Sequence, residues 1–175
     1  MSFNILLALL PVVIAVVMYK SQSLITRVIL GVVWLGFLPN TVYLLTDIYH
    51  FFEDMQKISG VYILLDLFMY LVLVVLGIIT FVLALNPFER MIAEKFKKKN
   101  SMKVIYFVNF LVGFGMVLGR ILRINSWEIV TNTKKVAYYG FFELRSWELM
   151  AMVLIFSVLA QVIYMQFKGI VAKIS

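Results

Sequence analysis

Apolar residues run in long uninterrupted blocks along this chain, and short polar stretches separate the blocks. Each block is close to the ~20 residues that a helix needs to cross the hydrocarbon core of a bilayer. The blocks raise the hydrophobic fraction to 63% of the 175 residues and the mean hydropathy to +1.00, while only 14% of the residues are charged. Roughly a quarter of the residues in a soluble domain are charged. The sequence therefore predicts an integral membrane protein.

The blocks predict an all-α, polytopic bundle of five transmembrane helices that forms one domain over residues 1–175. The predicted spans cover residues 3–19, 24–46, 60–85, 104–124 and 149–167. Ten of the 16 Lys and Arg residues collect on the side of the C-terminus and six on the other side. The positive-inside rule then predicts an outside N-terminus and a cytoplasmic C-terminus. A sixth span would put both termini on one side.

The basic segment NPFERMIAEKFKKKN predicts an interfacial helix over about residues 86–99. Asn86 suits the N-cap, Pro87 suits the first helical position, and Glu89 completes a capping box. The predicted partner is the anionic leaflet of the membrane, reached through four lysines, Lys95, Lys97, Lys98 and Lys99. An ordinary basic loop that fixes the topology is the alternative. Because the net charge of +7 lies in loops between spans, nucleic acid is not an expected partner.

Polar residues interrupt the end of the second span, in the motif LPNTVYLLTDIYH of residues 38–50. At 100° per residue, five polar side chains fall within an arc of about 80° on one helix: Asn40, Tyr43, Asp47, His50 and Asp54. Pro39 removes a backbone hydrogen bond and predicts a kink, with Asn40 pairing with a freed carbonyl. The stripe therefore lies on a bent end of the second span.

The fourth span carries a matching stripe and a pair of glycines. The stripe comprises Asn109, Gly113, Arg120, Arg123 and Trp127. Gly115 and Gly119 form a GxxxG pair, which allows another helix to approach closely or supports a homodimer.

The third span adds Asp66, six residues past its predicted outer start, and Arg120 lies four residues before the outer end of the fourth span. The two residues should therefore lie at similar depth. An ionisable group in the membrane faces the bundle interior or water and needs a partner. We expect an Asp66–Arg120 pair, and we expect both residues to join Asp47, His50 and Arg123 in one outward-facing polar site.

The two motifs, LPNTVYLLTDIYH and GFGMVLGRILRINSWE, resemble the signatures of a family of bacterial multipass proteins known as domain of unknown function 1361. Asp66 fits the acidic position between them, and Glu128 stands where Asp is expected in much of the family. The resemblance runs from the second span to the start of the fifth. It implies a multi-pass protein of the bacterial cytoplasmic membrane and supplies no activity.

Recognition of an anion is the leading functional hypothesis. Arg120 and Arg123 would grip the phosphate or carboxylate of a lipid headgroup or lipid-linked ligand, because guanidinium matches such anions. The other candidate binding residues are Asp66, Asn40, Tyr43, Asn125 and Trp127.

Three alternatives stay open. A membrane-embedded hydrolase or transferase would use His50 and Asp47 as a general base. A subunit of a larger transport or assembly complex would use the bundle for docking. The polar residues could also hold helices together, at ~0.6–2 kcal/mol for each interhelical hydrogen bond. No metal or cofactor is expected, since the chain has one His and no Cys.

Overall fold

The computed structural model describes residues 2–55, 60–95, 98–124 and 128–171, and every regular element within these ranges is an α-helix. The helices are α1 (Ser2–Lys20), α2 (Leu24–Phe37), α3 (Pro39–Thr46), α4 (Ile48–Asp54), α5 (Val61–Lys95), α6 (Lys98–Arg120), α7 (Glu128–Thr131), α8 (Thr133–Arg145) and α9 (Trp147–Val171). The predicted all-α class is confirmed.

Four helical segments are long and apolar enough to cross a membrane. They are Leu24–Phe52, which runs through α2 to α4, Val61–Glu94 in α5, Ser101–Arg120 in α6, and Trp147–Ile170 in α9. The apolar part of α1, Asn4–Lys20, is shorter. It packs against α5, α2 and α3. The chain is therefore a helical membrane protein with four candidate spans, and the fifth span and the orientation of the termini stay predictions.

The bundle has two ends. We call the end that holds Asn4 and Asp47 the Asp47 end, and we call the opposite end, which holds Tyr19, Glu89 and Glu94, the Glu89 end. Side chains at both ends show that α1 runs parallel to α5. At the Asp47 end, Asn4 Nδ2 donates to Asp47 Oδ2 over 3.3 Å. At the Glu89 end, Tyr19 Oη donates to Glu94 Oε1 over 2.9 Å. Phe51, just after Asp47, meets Tyr70 of α5 with ring centroids 6.1 Å apart.

Contacts of α6 place the other two helices. Arg120 at the end of α6 bonds Asp47. Helix α9 runs antiparallel to α6, because Met102 lies beside Lys168 and Gly113 lies beside Ser157. The Asp47 end therefore holds the starts of α1, α5 and α9 and the end of α6.

The second span breaks where the sequence predicts a kink. Helix α2 ends at Phe37 and α3 begins at Pro39. Asn40 Nδ2 donates to the Phe37 carbonyl over 3.0 Å, and the Thr41 hydroxyl donates to the Leu38 carbonyl over 2.8 Å. Asn40 thus bonds a carbonyl at the break, although the missing N–H of Pro39 would have bonded the Leu35 carbonyl and not that of Phe37. The Leu38 carbonyl also accepts from the Thr41 N–H over 3.1 Å.

The sequence predicts a separate interfacial helix over residues 86–99. In the structure α5 instead continues unbroken through Pro87 to Lys95. Phe88 stacks on Trp34 with ring centroids 4.7 Å apart, and Met91 is buried. This packing compensates for the hydrogen bond that proline removes. The leaflet contact stays untested, because Lys97 and the side chains of Lys95, Lys98 and Lys99 lie outside the described residues.

Candidate functional site

A polar cluster at the Asp47 end joins three parts of the bundle. We call Asn4, Asp47, His50 and Arg120 the Asp47 cluster. Asp47 is 3% exposed, and each of its carboxylate oxygens accepts a hydrogen bond. Oδ2 accepts from Asn4 of α1, and Oδ1 accepts from Arg120 of α6 over 2.9 Å. The buried charge is therefore both paired and hydrogen-bonded, as a carboxylate inside a membrane protein requires.

Arg120 is fixed by three contacts and keeps unused donors. Besides the ion pair with Asp47, its Nη2 donates to the Thr46 carbonyl over 3.0 Å and lies 3.4 Å from Nε2 of His50. A guanidinium has five N–H donors. Within the described part of the chain two of these donors have no partner, and the side chain is 30% exposed. Arg120 is therefore held in place while part of it stays open to a ligand.

The geometry at His50 separates it from the carboxylate of Asp47. A guanidinium can only donate, so a hydrogen bond across this contact requires Nε2 of His50 to be the acceptor. The oxygens of Asp47 face Asn4 and Arg120, and His50 meets Asp47 through a backbone bond of 2.9 Å from its N–H to the Asp47 carbonyl. Arg120 thus contacts the His50 ring, and Tyr49 meets the same ring edge-on with ring centroids 6.3 Å apart. A general base built on His50 and Asp47 stays a prediction.

Two glycines of α6 determine which helix packs beside Arg120 and therefore which carboxylate pairs with it. A Cβ added to Gly115 would lie 2.5 Å from Cγ of Pro39, and one added to Gly119 would overlap Oη of Tyr43. Tyr43 Oη donates to the Gly115 carbonyl over 2.9 Å. The predicted close approach through the GxxxG pair is confirmed, and α3 of the same chain fills it. This face of α6 is therefore not available for the homodimer that the motif also suggested.

The predicted Asp66–Arg120 pair is wrong. Arg120 pairs with Asp47, because α3 and not α5 packs on the glycines of α6. Asp66 Oδ2 is buried without a hydrogen-bond partner in the described part of the molecule. The residue borders a cavity of about 330 Å³ together with Tyr62, Leu65 and Met69. Asp66 therefore stands apart from the Asp47 cluster.

The prediction that Arg123 continues the stripe of α6 is also wrong. The helix ends at Arg120, and Arg123 has a φ of 55°. This left-handed conformation usually falls to glycine and is common where a helix ends. The Ile124 N–H donates back to the Leu118 carbonyl over 3.0 Å and closes the turn. The side chain of Arg123 is exposed and, among the described residues, has neither a hydrogen bond nor an ion pair.

The remaining candidates divide into two groups. Asn40 and Tyr43 each donate a hydrogen bond to a backbone carbonyl, that of Phe37 and that of Gly115, and their role in binding stays a prediction. Asn125, Trp127 and the side chain of Asp54 lie outside the described residues.

Asn4 was not identified from the sequence as a member of the cluster. The signal that could have indicated it is a single amide side chain near the start of an apolar segment. In the described ranges no three His, Asp or Glu side chains are grouped so as to hold a metal ion.

Comparison with known proteins adds a family and no activity. The model of the family described as "Protein of unknown function (DUF1361)" matches residues 3–163. No curated protein and no solved structure matches the chain.

Proposed function

Since the family model covers most of the chain, the chain belongs to the DUF1361 family, and we propose that its Asp47 cluster recognises an anionic group. The anion we propose is the phosphate of a lipid headgroup or of a lipid-linked ligand. The observation that carries the proposal is the state of Arg120, which is anchored by Asp47 and the Thr46 carbonyl and keeps two N–H donors for a ligand. A fixed guanidinium loses less entropy when it binds than a free side chain does.

The distribution of charge favours an anion over a cation as the ligand. Asp47 is buried and already neutralised by Arg120, whereas His50 and Arg123 are exposed at the same end of the bundle. The carboxylate of Asp47 therefore faces the interior of the bundle, and the hydrogen-bond donors of the cluster face outward. Arg123 adds a positive charge with no counterion among the described residues, and its left-handed backbone costs about 1 kcal/mol. Such strain is found at ligand-binding positions.

A membrane lipid is favoured as the source of the anion by the aromatic side chains at this end. Helix α8 and the start of α9 expose four of them, Tyr138, Phe141, Phe142 and Trp147. Tyr and Trp are enriched at the level of lipid headgroups. We therefore propose that the Asp47 cluster lies at this level, on the outer face of a bacterial cytoplasmic membrane.

The proposed orientation can be tested by labelling cysteines in a chain that has none of its own. In intact cells, an impermeant thiol reagent should label Lys134→Cys, which is exposed at the Asp47 end, and should not label Lys98→Cys. Labelling of Lys98→Cys alone would reverse the orientation and contradict an outward-facing site.

The binding proposal is tested by lipid retention after purification. Native mass spectrometry of the protein from nanodiscs of phosphatidylglycerol should show a retained lipid, and nanodiscs of phosphatidylcholine alone should retain less. Arg123→Gln should lower the retained fraction about tenfold, because a hydrogen bond to a charged group contributes about 1.5–3 kcal/mol. Millimolar inorganic phosphate would displace the lipid only if the site accepts the free anion.

The matched control is Arg145→Gln, which removes another exposed arginine at the same end of the bundle. It should leave lipid retention within twofold of the wild-type value, and both variants should keep the wild-type melting temperature. Equal losses from the two variants would indicate bulk attraction between the protein and anionic lipid. That outcome, or a wild-type protein that retains no lipid, would overturn the proposal.

A further inference from the structure

An amide pair lies between α6 and α9, near the middle of both spans. Asn109 Nδ2 donates to Gln161 Oε1 over 2.6 Å. Asn109 is 1% exposed and Gln161 is half-buried. The pair lies about 16 Å along α6 from Arg120, at 1.5 Å for each of 11 residues, so it is separate from the Asp47 cluster.

The pair satisfies only half of its own hydrogen-bonding groups. Within the part of the chain that the structure describes, Asn109 Oδ1 and Gln161 Nε2 are buried and have no hydrogen-bond partner. Turning both amides over would exchange the two roles and still leave one donor and one acceptor. An unsatisfied polar group in the hydrocarbon region costs several kcal/mol. The amide pair therefore needs a partner that offers one acceptor and one donor side by side.

A groove of about 210 Å³ leads from the surface of the bundle to these amides. Its lining consists of Tyr106, Asn109, Ser157, Val158, Gln161 and Val162. Val158 is 62% exposed and Tyr106 is 51% exposed, so the groove opens on an apolar face of α6 and α9. The unpaired amide atoms are buried although both residues line the groove, so the half-buried Gln161 has to turn its side chain into the groove to meet a partner there.

A second copy of the chain offers the required pattern. Because Asn109 and Gln161 bond each other, they lie at one depth in the membrane. A two-fold axis along the membrane normal keeps every residue at its depth and brings the same surface patch together. The donor of one copy then meets the acceptor of the other. We infer that the α6–α9 face is a homodimer interface in which Gln161 of each copy donates to the partner's Asn109.

Cysteine crosslinking in native membranes tests this interface, because the chain has no cysteine that could react instead. Mild oxidation should link Val158→Cys into a disulfide dimer. The control is Val75→Cys on α5, which is 53% exposed and also lies within a span, and it should stay monomeric. Equal crosslinking at both positions would reflect random collision and would overturn the inference, as would the absence of crosslinking at Val158→Cys.

A second variant tests the amides themselves. Changing Asn109→Leu and Gln161→Leu together, in the Val158→Cys background, removes both orphaned groups and leaves an apolar contact that the fold tolerates. The loss of two interhelical bonds should weaken dimerisation about tenfold, as measured by the crosslinked fraction across a dilution series in lipid. An unchanged crosslinked fraction with an unchanged melting temperature would show that the amides do not join the copies. Lipid retention at the Asp47 cluster should be unaffected, so this inference and the proposed function fail separately.

Discussion

Two aspartates on neighbouring helices of the bundle have opposite surroundings. Asp47 is 3% exposed and accepts hydrogen bonds from Asn4 and Arg120. Asp66 lies beside a cavity, and its Oδ2 has no hydrogen-bond partner in the described part of the molecule. Sequence position and expected depth predict a pair between Asp66 and Arg120, yet Asp47 takes the arginine.

Asp47 pairs with Arg120, and Asp66 does not, because of how the helices pack and not because the two carboxylates differ in charge. Gly115 and Gly119 leave room on α6 for Pro39 and Tyr43, which fixes α3 against α6. Asp47 comes one turn after Tyr43, and Arg120 comes directly after Gly119, so this contact brings the two charges together. Gly115 and Gly119 therefore determine that Asp47, and not Asp66, pairs with Arg120. A salt bridge in a helical membrane protein can thus be decided by helix packing before electrostatics acts.

The largest effect should come from breaking the satisfied pair. Asp47→Asn leaves the charge of Arg120 uncompensated next to a buried amide, and we expect it to lower the free energy of unfolding by about 3 kcal/mol. Arg120→Gln should have a similar effect, because it orphans the buried carboxylate. The double variant should recover part of the loss, as measured by unfolding in mild detergent. Strictly additive losses would show that the two residues do not stabilise one another.

A smaller effect is expected when the contact that forms the pair is disturbed. Gly119→Ala places a methyl group where Oη of Tyr43 lies, so Tyr43 or α3 must shift. We expect a loss of about 2 kcal/mol, which is typical of overpacking. Gly169→Ala is the control, since among the described residues no atom lies within 4 Å of the added Cβ apart from its chain neighbours and the backbone of its own helix. If both variants have the same stability, α3 does not depend on the glycine face.

The smallest effect on stability is expected at Asp66. Asp66→Asn removes the charge of a carboxylate whose Oδ2 is buried without a partner in the described structure, and it breaks no hydrogen bond or ion pair there, so the free energy of unfolding should stay the same or rise by up to about 1 kcal/mol. The same unfolding assay measures it next to Asp47→Asn. A loss as large as that of Asp47→Asn would mean that Asp66 does have a partner, and the contrast between the two acids would disappear.

Parts of the site were predictable because they depend on short stretches of chain. The break at Pro39 and the carbonyl bond of Asn40 involve neighbouring residues. The approach of a helix to Gly115 and Gly119 needs only their missing side chains. The partner of Arg120 was not predictable, since depth along a helix does not say which neighbour lies beside it. The position of Arg123 was mispredicted, because helical periodicity was extended past the end of α6.

The sequence by itself determined that this protein is a helical membrane protein, since blocks of apolar residues near the thickness of a bilayer admit no other class of structure. It also determined the family, whose model matches residues 3–163. Only the tertiary structure decided that α5 continues through Pro87, because the packing of Phe88 on Trp34 offsets a local signal to stop the helix. Only the tertiary structure decided that Asp47 pairs with Arg120 and that the Asn109–Gln161 amides keep one unsatisfied donor and one unsatisfied acceptor in the described structure. The physical reason is that residues far apart in the chain can form a hydrogen bond only after the helices that carry them have packed together.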